Sequence, residues 1–227
     1  MNIFRGESRI VRNISLKVER GQSVCIIGRN GAGKTTTLKG ILGLLPVRSG
    51  QILFEGKDIT SIPTEEKVKL GIGYAPEDRK IYPDFTLEEN MELGLRLLPK
   101  NDRVKIKNEI FELFPELKPL SKNKGLYLSG GEQKMLAISR ALALAPKLLI
   151  LDEPMEGLAP IIVRRLAKAI NDIKKRNISL LIAESNISHA LKVADYCYVI
   201  ERGEIIFEGK PQELLENHNV LKIVRGL

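Results

Sequence analysis

Tryptophan is absent from this chain, cysteine and histidine occur twice each, and no apolar run is long enough to cross a bilayer. Runs such as 147–151 and 179–183 fall far below the ~18 residues that mark a transmembrane helix. Residues 1–21 scatter charges where a secretory signal would need an apolar stretch of about 7–15 residues, so the chain is expected to stay where it is made. Cys25 and Cys197 each sit among Val, Ile and Tyr, which reads as two small buried hydrophobes in a reducing, cytosolic protein rather than a disulfide framework or a metal site. Nothing repeats at the ~20–50 residue period of a solenoid, and no low-complexity tract is present. Acidic residues are the scarcer charge: 28 Asp and Glu against 36 Lys and Arg leave +8. That excess admits nucleic acid, a membrane surface or a phosphorylated ligand as partner.

What is there is an ordinary globular composition, 43% hydrophobic and 28% charged, which excludes disordered, collagen-like and coiled-coil chains. The 227 residues suit one domain, with room for an inserted lobe. Strand and helix patterns alternate. An apolar strand over 23–27 leads through a Gly-rich turn into a helix from Lys34 to about Leu45. Short segments at 51–54 and 57–59 flank a Glu-Gly turn and read as an antiparallel hairpin, and 196–200 with 204–207 read as a second one around Arg202-Gly203. From Thr86 to Ala145 the pattern turns helical, interrupted by Pro99, Pro115 and Pro119. Apolar strands return at 148–151 and 179–183, separated by a helix whose Ile162, Leu166, Ile170 and Ile173 share one face. Continuously apolar strands alternating with helices predict an α/β fold with a parallel sheet covered on both faces.

The turn Gly28-Arg29-Asn30-Gly31-Ala32-Gly33-Lys34-Thr35, followed by Thr36, satisfies G-x-x-x-x-G-K-[ST] between a strand and a helix. Its glycines let backbone N–H groups turn toward phosphate oxygens, and the helix start adds partial positive charge. Lys34 reaches the β- and γ-phosphates, and Thr35 offers a hydroxyl to Mg²⁺. The strand 148–151 ends in Asp152-Glu153, two acids where a buried strand has little reason to carry any without a cation. Asp152 is placed to enter the Mg²⁺ shell and Glu153 to face the water attacking the γ-phosphate. Together these motifs point to Mg²⁺-dependent hydrolysis of a nucleoside triphosphate, which the family resemblance below implies to be ATP.

A third motif, Leu128-Ser129-Gly130-Gly131-Glu132-Gln133, opens an apolar-periodic helix through Met135, Ile138 and Leu142. A serine and two glycines at a helix start make a second anion site. With the phosphate loop, this LSGGEQ stretch and the acidic strand in that order, the chain resembles the ATP-binding cassette (ABC) family over nearly its whole length. The resemblance implies a P-loop NTPase (RecA-like) core over 1–79 and 146–227 with a small antiparallel region, and an inserted helical lobe over 80–145. It implies a dimer with a second ATP-binding subunit, in which Ser129, Gly130, Gly131 and Glu132 of one subunit approach the γ-phosphate held by Lys34 of the other. Phe4 falls where the family has an aromatic that stacks on adenine, a core phenylalanine being the alternative. Only three residues precede it, so the first strand is expected to be short or differently built.

Three positions depart from the commonest family pattern. Glu77 in Tyr74-Ala75-Pro76-Glu77 replaces a Gln, keeping an oxygen for Mg²⁺ but adding charge. Ala159 in Glu156-Gly157-Leu158-Ala159-Pro160 replaces an Asp. Ser185 in Ala183-Glu184-Ser185-Asn186 replaces a His, with a hydroxyl expected to reach Glu153 only through water. His189 and His218 read as solvated surface residues. These departures, with Tyr82-Pro83-Asp84-Phe85-Thr86-Leu87-Glu88-Glu89-Asn90, resemble the ATP-binding subunits of branched-chain amino acid transporters. The resemblance implies transmembrane permease subunits as partners, a solute-binding protein acting indirectly, no nucleic acid, and a peripheral place on the cytoplasmic face of the cell membrane. Two other readings fit parts of the sequence. Chromosome and DNA-repair relatives would welcome +8, yet they carry a long coiled-coil insertion for which the stretch between Lys34 and Ser129 has no room. A regulatory subunit with impaired hydrolysis is suggested by Ser185 and Ala159 and opposed by Glu153. Basic residues outside the loop, Arg164, Arg165, Lys168 and 174–176, are expected to face solvent or lipid headgroups.

Overall fold

Strands with apolar residues on both faces, as in 24–27 and 148–151, can be buried only if both faces of their sheet are covered. The computed structural model, which describes residues 1–226, supplies that cover. In chain order, β1 (Asn2–Arg5) and β2 (Ser8–Val11) form an N-terminal hairpin, followed by β3 (Ser23–Ile27), α1 (Lys34–Leu42) and β4 (Val47–Ser49). Next come a small hairpin of β5 (Leu53–Phe54) and β6 (Lys57–Asp58), then α2 (Thr64–Lys69) and β7 (Ile72–Ala75). Three helices follow without a strand: α3 (Leu87–Leu95), α4 (Lys100–Leu113) and α5 (Gly130–Leu142). The chain closes with β8 (Leu148–Asp152), α6 (Pro160–Lys175), β9 (Ser179–Glu184), α7 (Ile187–Ala190), β10 (Tyr196–Glu201), β11 (Glu204–Gly209), α8 (Pro211–Glu216) and α9 (His218–Arg225).

The central sheet has the order β11-β10-β3-β9-β8-β7. Every neighbouring pair is parallel except β10 and β11. Side-chain alternation along the strands divides the core in two. Val24, Ile26, Ile150 and Leu181 face α1 and the β1–β2 hairpin, whereas Cys25, Ile27, Leu149, Leu151 and Ile182 face α5, α6 and the remaining helices. Each fully buried aliphatic side chain in these layers contributes about 1.5–3 kcal/mol. The sheet's carboxyl ends, where ligands bind in open α/β folds, gather the Gly28–Thr35 loop, Asp152 and Glu184 at one edge.

The helix predicted from Lys34 to about Leu45 stops at Leu42, because Gly43 takes a left-handed φ of 80° and its N–H returns to Gly40 O. The strand expected to end at Ala183 continues into Glu184, whose side chain is buried. The first strand exists as four residues, paired with β2 on one side and β4 on the other. The basic residues of α6 also differ from expectation. Arg164 and Lys168 are exposed, but Arg165 is paired with Glu116, Lys174 with Asp195 at 2.7 Å, and Arg176 with Glu112 at 3.0 Å. Three of the supposed free cations are therefore ties between elements rather than a charged face open to lipid.

Candidate active site

The loop after β3 folds as a cradle because its glycines do what other residues could not. Gly33 has φ 111° as it caps α1, and a Cβ on Gly28 would lie 2.4 Å from Ile200 O. The first-turn amides of α1 are left for an anion. Arg29, Asn30 and Gly31 are exposed at the rim, Ala32 and Gly33 are buried beneath it, and Thr35 and Thr36 are half-buried at the start of α1. Lys34, 5% exposed, folds back so that its Nζ donates to Gly28 O at 2.7 Å and Arg29 O at 3.2 Å. The same ammonium lies 3.0 Å from Glu153 Oε1, a buried ion pair joining the phosphate loop to the end of β8.

Asp152 and Glu153 do not share partners. Asp152 Oδ1 accepts from the Thr35 hydroxyl at 3.0 Å and Oδ2 from the Tyr74 hydroxyl at 3.1 Å. Burial raises the Asp152 pKa, against the two hydroxyl donors. Glu153 Oε2 accepts from Ser185 N–H at 2.9 Å and from the Ser185 hydroxyl at 3.1 Å. Ser185 thus reaches Glu153 directly, correcting the expectation of a bridging water. The short side chain suffices because β9 runs beside β8 and delivers residue 185 next to residue 153.

A second row of polar groups lies behind these acids. Met155 N–H donates to Glu184 Oε1 at 3.2 Å. Glu184 Oε2 and His189 Nδ1 face each other at 3.8 Å, both buried and neither hydrogen-bonded. His189, expected at the surface, is half-buried against this carboxyl; His218 is exposed as expected. Burial, and after it the Glu153 charge, pushes the Glu184 carboxyl up to about 8 from the ordinary 4.5. Between those values the folded chain binds a proton that the unfolded chain has lost, so stability falls as pH rises. From about pH 5 to pH 8 this group should cost the wild type on the order of a few kcal/mol. Glu184→Gln keeps the acceptor for Met155 and should flatten that part of the Tm profile. Parallel Tm profiles for the two proteins would show that Glu184 does not titrate in this range.

The remaining predicted residues sit around this centre. Glu77 is exposed and, with Thr35, Tyr74, Leu93, Arg140 and Asp152, lines a cleft of about 610 Å³ between the sheet edge and the helices α3 and α5. Ser129 caps α5: its hydroxyl accepts from Glu132 N–H while the Glu132 carboxylate accepts from Ser129 N–H at 2.6 Å. Gly130 faces the Arg79 guanidinium, and Gly131 packs where a Cβ would meet Ile162 at 2.9 Å. Among the described residues, no hydrogen bond or ion pair joins 129–132 to the Lys34 cradle within one chain. The Phe4 ring is covered by the Arg48 guanidinium at 4.7 Å, on the strand face opposite Ile3. Tyr74 and Lys134, both bonded to the acidic pair, were not singled out as site residues from the sequence.

Residues 11–156 match the ABC transporter family. The high-affinity branched-chain amino acid transport ATP-binding protein BraG of Pseudomonas aeruginosa is 37% identical, covering 97% of this chain and 94% of that one. The lipopolysaccharide export system ATP-binding protein LptB of Haemophilus influenzae is 35% identical, covering 96% and 91%. A crystal structure of an ATP-binding cassette of an ABC transporter in its ADP conformation superimposes with a TM-score of 0.87 at 29% identity, covering 100% of both chains.

Proposed function

The chain belongs to the ABC transporter family of ATP-binding, ATP-hydrolysing subunits, and from that premise we propose that it powers an importer of branched-chain amino acids. The likeness to BraG over nearly the full length of both chains carries this reading. The likeness to LptB supports lipopolysaccharide export as a second one. Among the described residues no helix is long and apolar enough to cross a membrane, so passage of the solute needs permease subunits. The cleft beside Glu77 offers those subunits a concave seat next to the catalytic edge.

In this reading the cradle amides and Lys34 bind the ATP phosphates. The Thr35 hydroxyl and the Asp152 carboxylate, 3.0 Å apart, form a pair of hard oxygen donors that suits Mg²⁺, with Glu77 in reach of the same cleft. When bound, Mg²⁺ would neutralise charge on the β- and γ-phosphate oxygens. Glu153 accepts a proton from the attacking water, and Ser185 holds its carboxylate through Oε2. The capped start of α5 is self-satisfied at Ser129 and Glu132 but keeps its helix dipole for the γ-phosphate of a second subunit. Closure and reopening of that dimer would move the permease, with the subunit on the cytoplasmic face of the membrane.

The test is reconstitution of the subunit in proteoliposomes with the permease that co-purifies with it. A solute-binding protein loaded with leucine, isoleucine or valine should raise ATP hydrolysis, and empty binding protein should not. Stimulation by lipopolysaccharide instead would transfer the assignment to export. Stimulation by duplex DNA without any permease would remove it from transport.

A further inference from the structure

Lys134 lies in the second turn of α5 and is 4% exposed. An ammonium taken out of water is costly unless strong acceptors replace the lost hydration. Here the acceptors are main-chain. Nζ donates to Glu153 O at 2.7 Å and to Glu77 O at 2.8 Å, carbonyls that are distant in sequence and belong to the two loops flanking the cleft. Burial, followed by the Arg79 charge, lowers the Lys134 pKa, while the nearby carboxylates of Glu77, Glu184 and Glu156 act the other way.

The Glu153 backbone is what makes this contact consequential. Its φ is +45°, the left-handed region, in a residue with a full side chain. Such a conformation costs on the order of 1–3 kcal/mol and persists only where surrounding groups hold it. Glu153 N–H donates to Ala183 O at 3.0 Å, and Glu153 C=O accepts from Lys134 at 2.7 Å and, at the longer 3.4 Å, from Glu156 N–H. The Glu77 turn is held by the same helix a second time, through Arg79 Nη1 donating to Gln133 Oε1 at 2.8 Å. Arg79 and Lys80 are themselves left-handed. A single helix therefore carries the Ser129 cap at its start and, one turn on, the clamp on both loops.

We propose that Lys134 is a positioning residue for ATP hydrolysis: by donating to the carbonyls of Glu153 and Glu77 it holds the catalytic acid in its left-handed backbone and fixes it to α5. A shift of α5 at its Ser129 end then carries Glu153 and the Glu77 turn with it. The inference rests on Glu153 being the base that accepts the water's proton.

The experiment compares wild type, Lys134→Met and Glu153→Gln as purified subunits, reading kcat, KM for ATP and Tm. Lys134→Met keeps the apolar stem but leaves Glu77 O without a donor and Glu153 O with only the long Glu156 N–H contact at 3.4 Å, and kcat should fall about 10- to 100-fold, the loss expected when a reacting group is misplaced by about 1 Å. KM should stay within about twofold, because the cradle is untouched. In the Glu153→Gln background, Lys134→Met should still give an ATP-bound dimer at the ATP concentration that Glu153→Gln alone requires. A kcat within about twofold of wild type, a KM that rises as kcat falls, or loss of that dimer would overturn the positioning role. If Lys134→Met does not fold, Lys134→Arg is read instead. It keeps two donors for the carbonyls and should retain kcat within about threefold; a loss beyond about tenfold at unchanged Tm would overturn the role. Near-normal hydrolysis by Glu153→Gln would sink the reading of Glu153 itself, whereas loss there with normal Lys134→Met sinks only the inference about Lys134.

Discussion

In the Glu153→Gln variant, ATP hydrolysis is expected to fall about 10²- to 10⁴-fold, the contribution of a positioned general base, while ATP binds more tightly than to wild type. The second half of this expectation comes from the Lys34–Glu153 pair. Lys34 pairs its ammonium with Glu153 Oε1 at 3.0 Å, and the two side chains are 5% and 4% exposed. A γ-phosphate must take that ammonium from the carboxylate. Glutamine is nearly isosteric and still accepts from Ser185, but it offers Lys34 no charge. The empty variant then holds a buried ammonium short of a counter-ion, and the phosphate relieves it. Affinity by equilibrium dialysis, the Tm increase on adding ATP and steady-state turnover together check the claim. Turnover within tenfold of wild type, or ATP affinity below wild type, would contradict it.

The parts of this site that were legible in the sequence are those whose chemistry is contiguous. The Gly28–Thr35 loop, the Asp152-Glu153 pair and the Ser129–Glu132 cap each lie within eight residues, where spacing alone fixes geometry. The sheet followed from runs apolar at every position, and the hinge-like prolines marked the helical stretch. What stayed hidden depends on tertiary placement. Lys134 sits among the polar positions of an amphipathic helix, and only the fold brings Glu77 and Glu153 to it. Glu184 lies one residue beyond the apolar run 179–183, yet β9 extends through it and the loop carrying Met155 folds over its carboxyl. His189 lies four residues beyond Ser185 and turned inward because α7 starts at Ile187 and rotates it toward Glu184. Arg165 and Arg176 looked like solvated charge because their partners, Glu116 and Glu112, lie on a segment that the sequence does not show to be adjacent. The pairing of the short first strand with β2 has no apolar signature, because both strands carry Asn, Arg or Ser and bury mainly Ile3 and Val11.

Lys34→Ala should weaken ATP binding about 10²-fold or more, the cost of removing one partner from a desolvated charge contact. It should also destabilise the empty protein, which a pure ligand-binding residue would not do. Truncating Lys34 leaves the Glu153 carboxylate buried with only the two Ser185 donors, and an uncompensated buried charge costs about 3–5 kcal/mol. The two effects separate in a double-mutant cycle. Adding Glu153→Gln to Lys34→Ala removes the orphaned charge, so Tm should recover most of the loss while ATP affinity stays low. The recovery identifies the Lys34–Glu153 pair as the source of the instability, and the persisting weak affinity identifies Lys34 as the phosphate ligand. Additive Tm losses in the double variant would mean that the pair contributes nothing as a pair, and unchanged ATP affinity in Lys34→Ala would take Lys34 out of the phosphate site. The same ion pair thus ties stability to nucleotide binding: a phosphate that takes Lys34 frees Glu153 Oε1 to accept a proton, while Ser185 keeps its hold on Oε2.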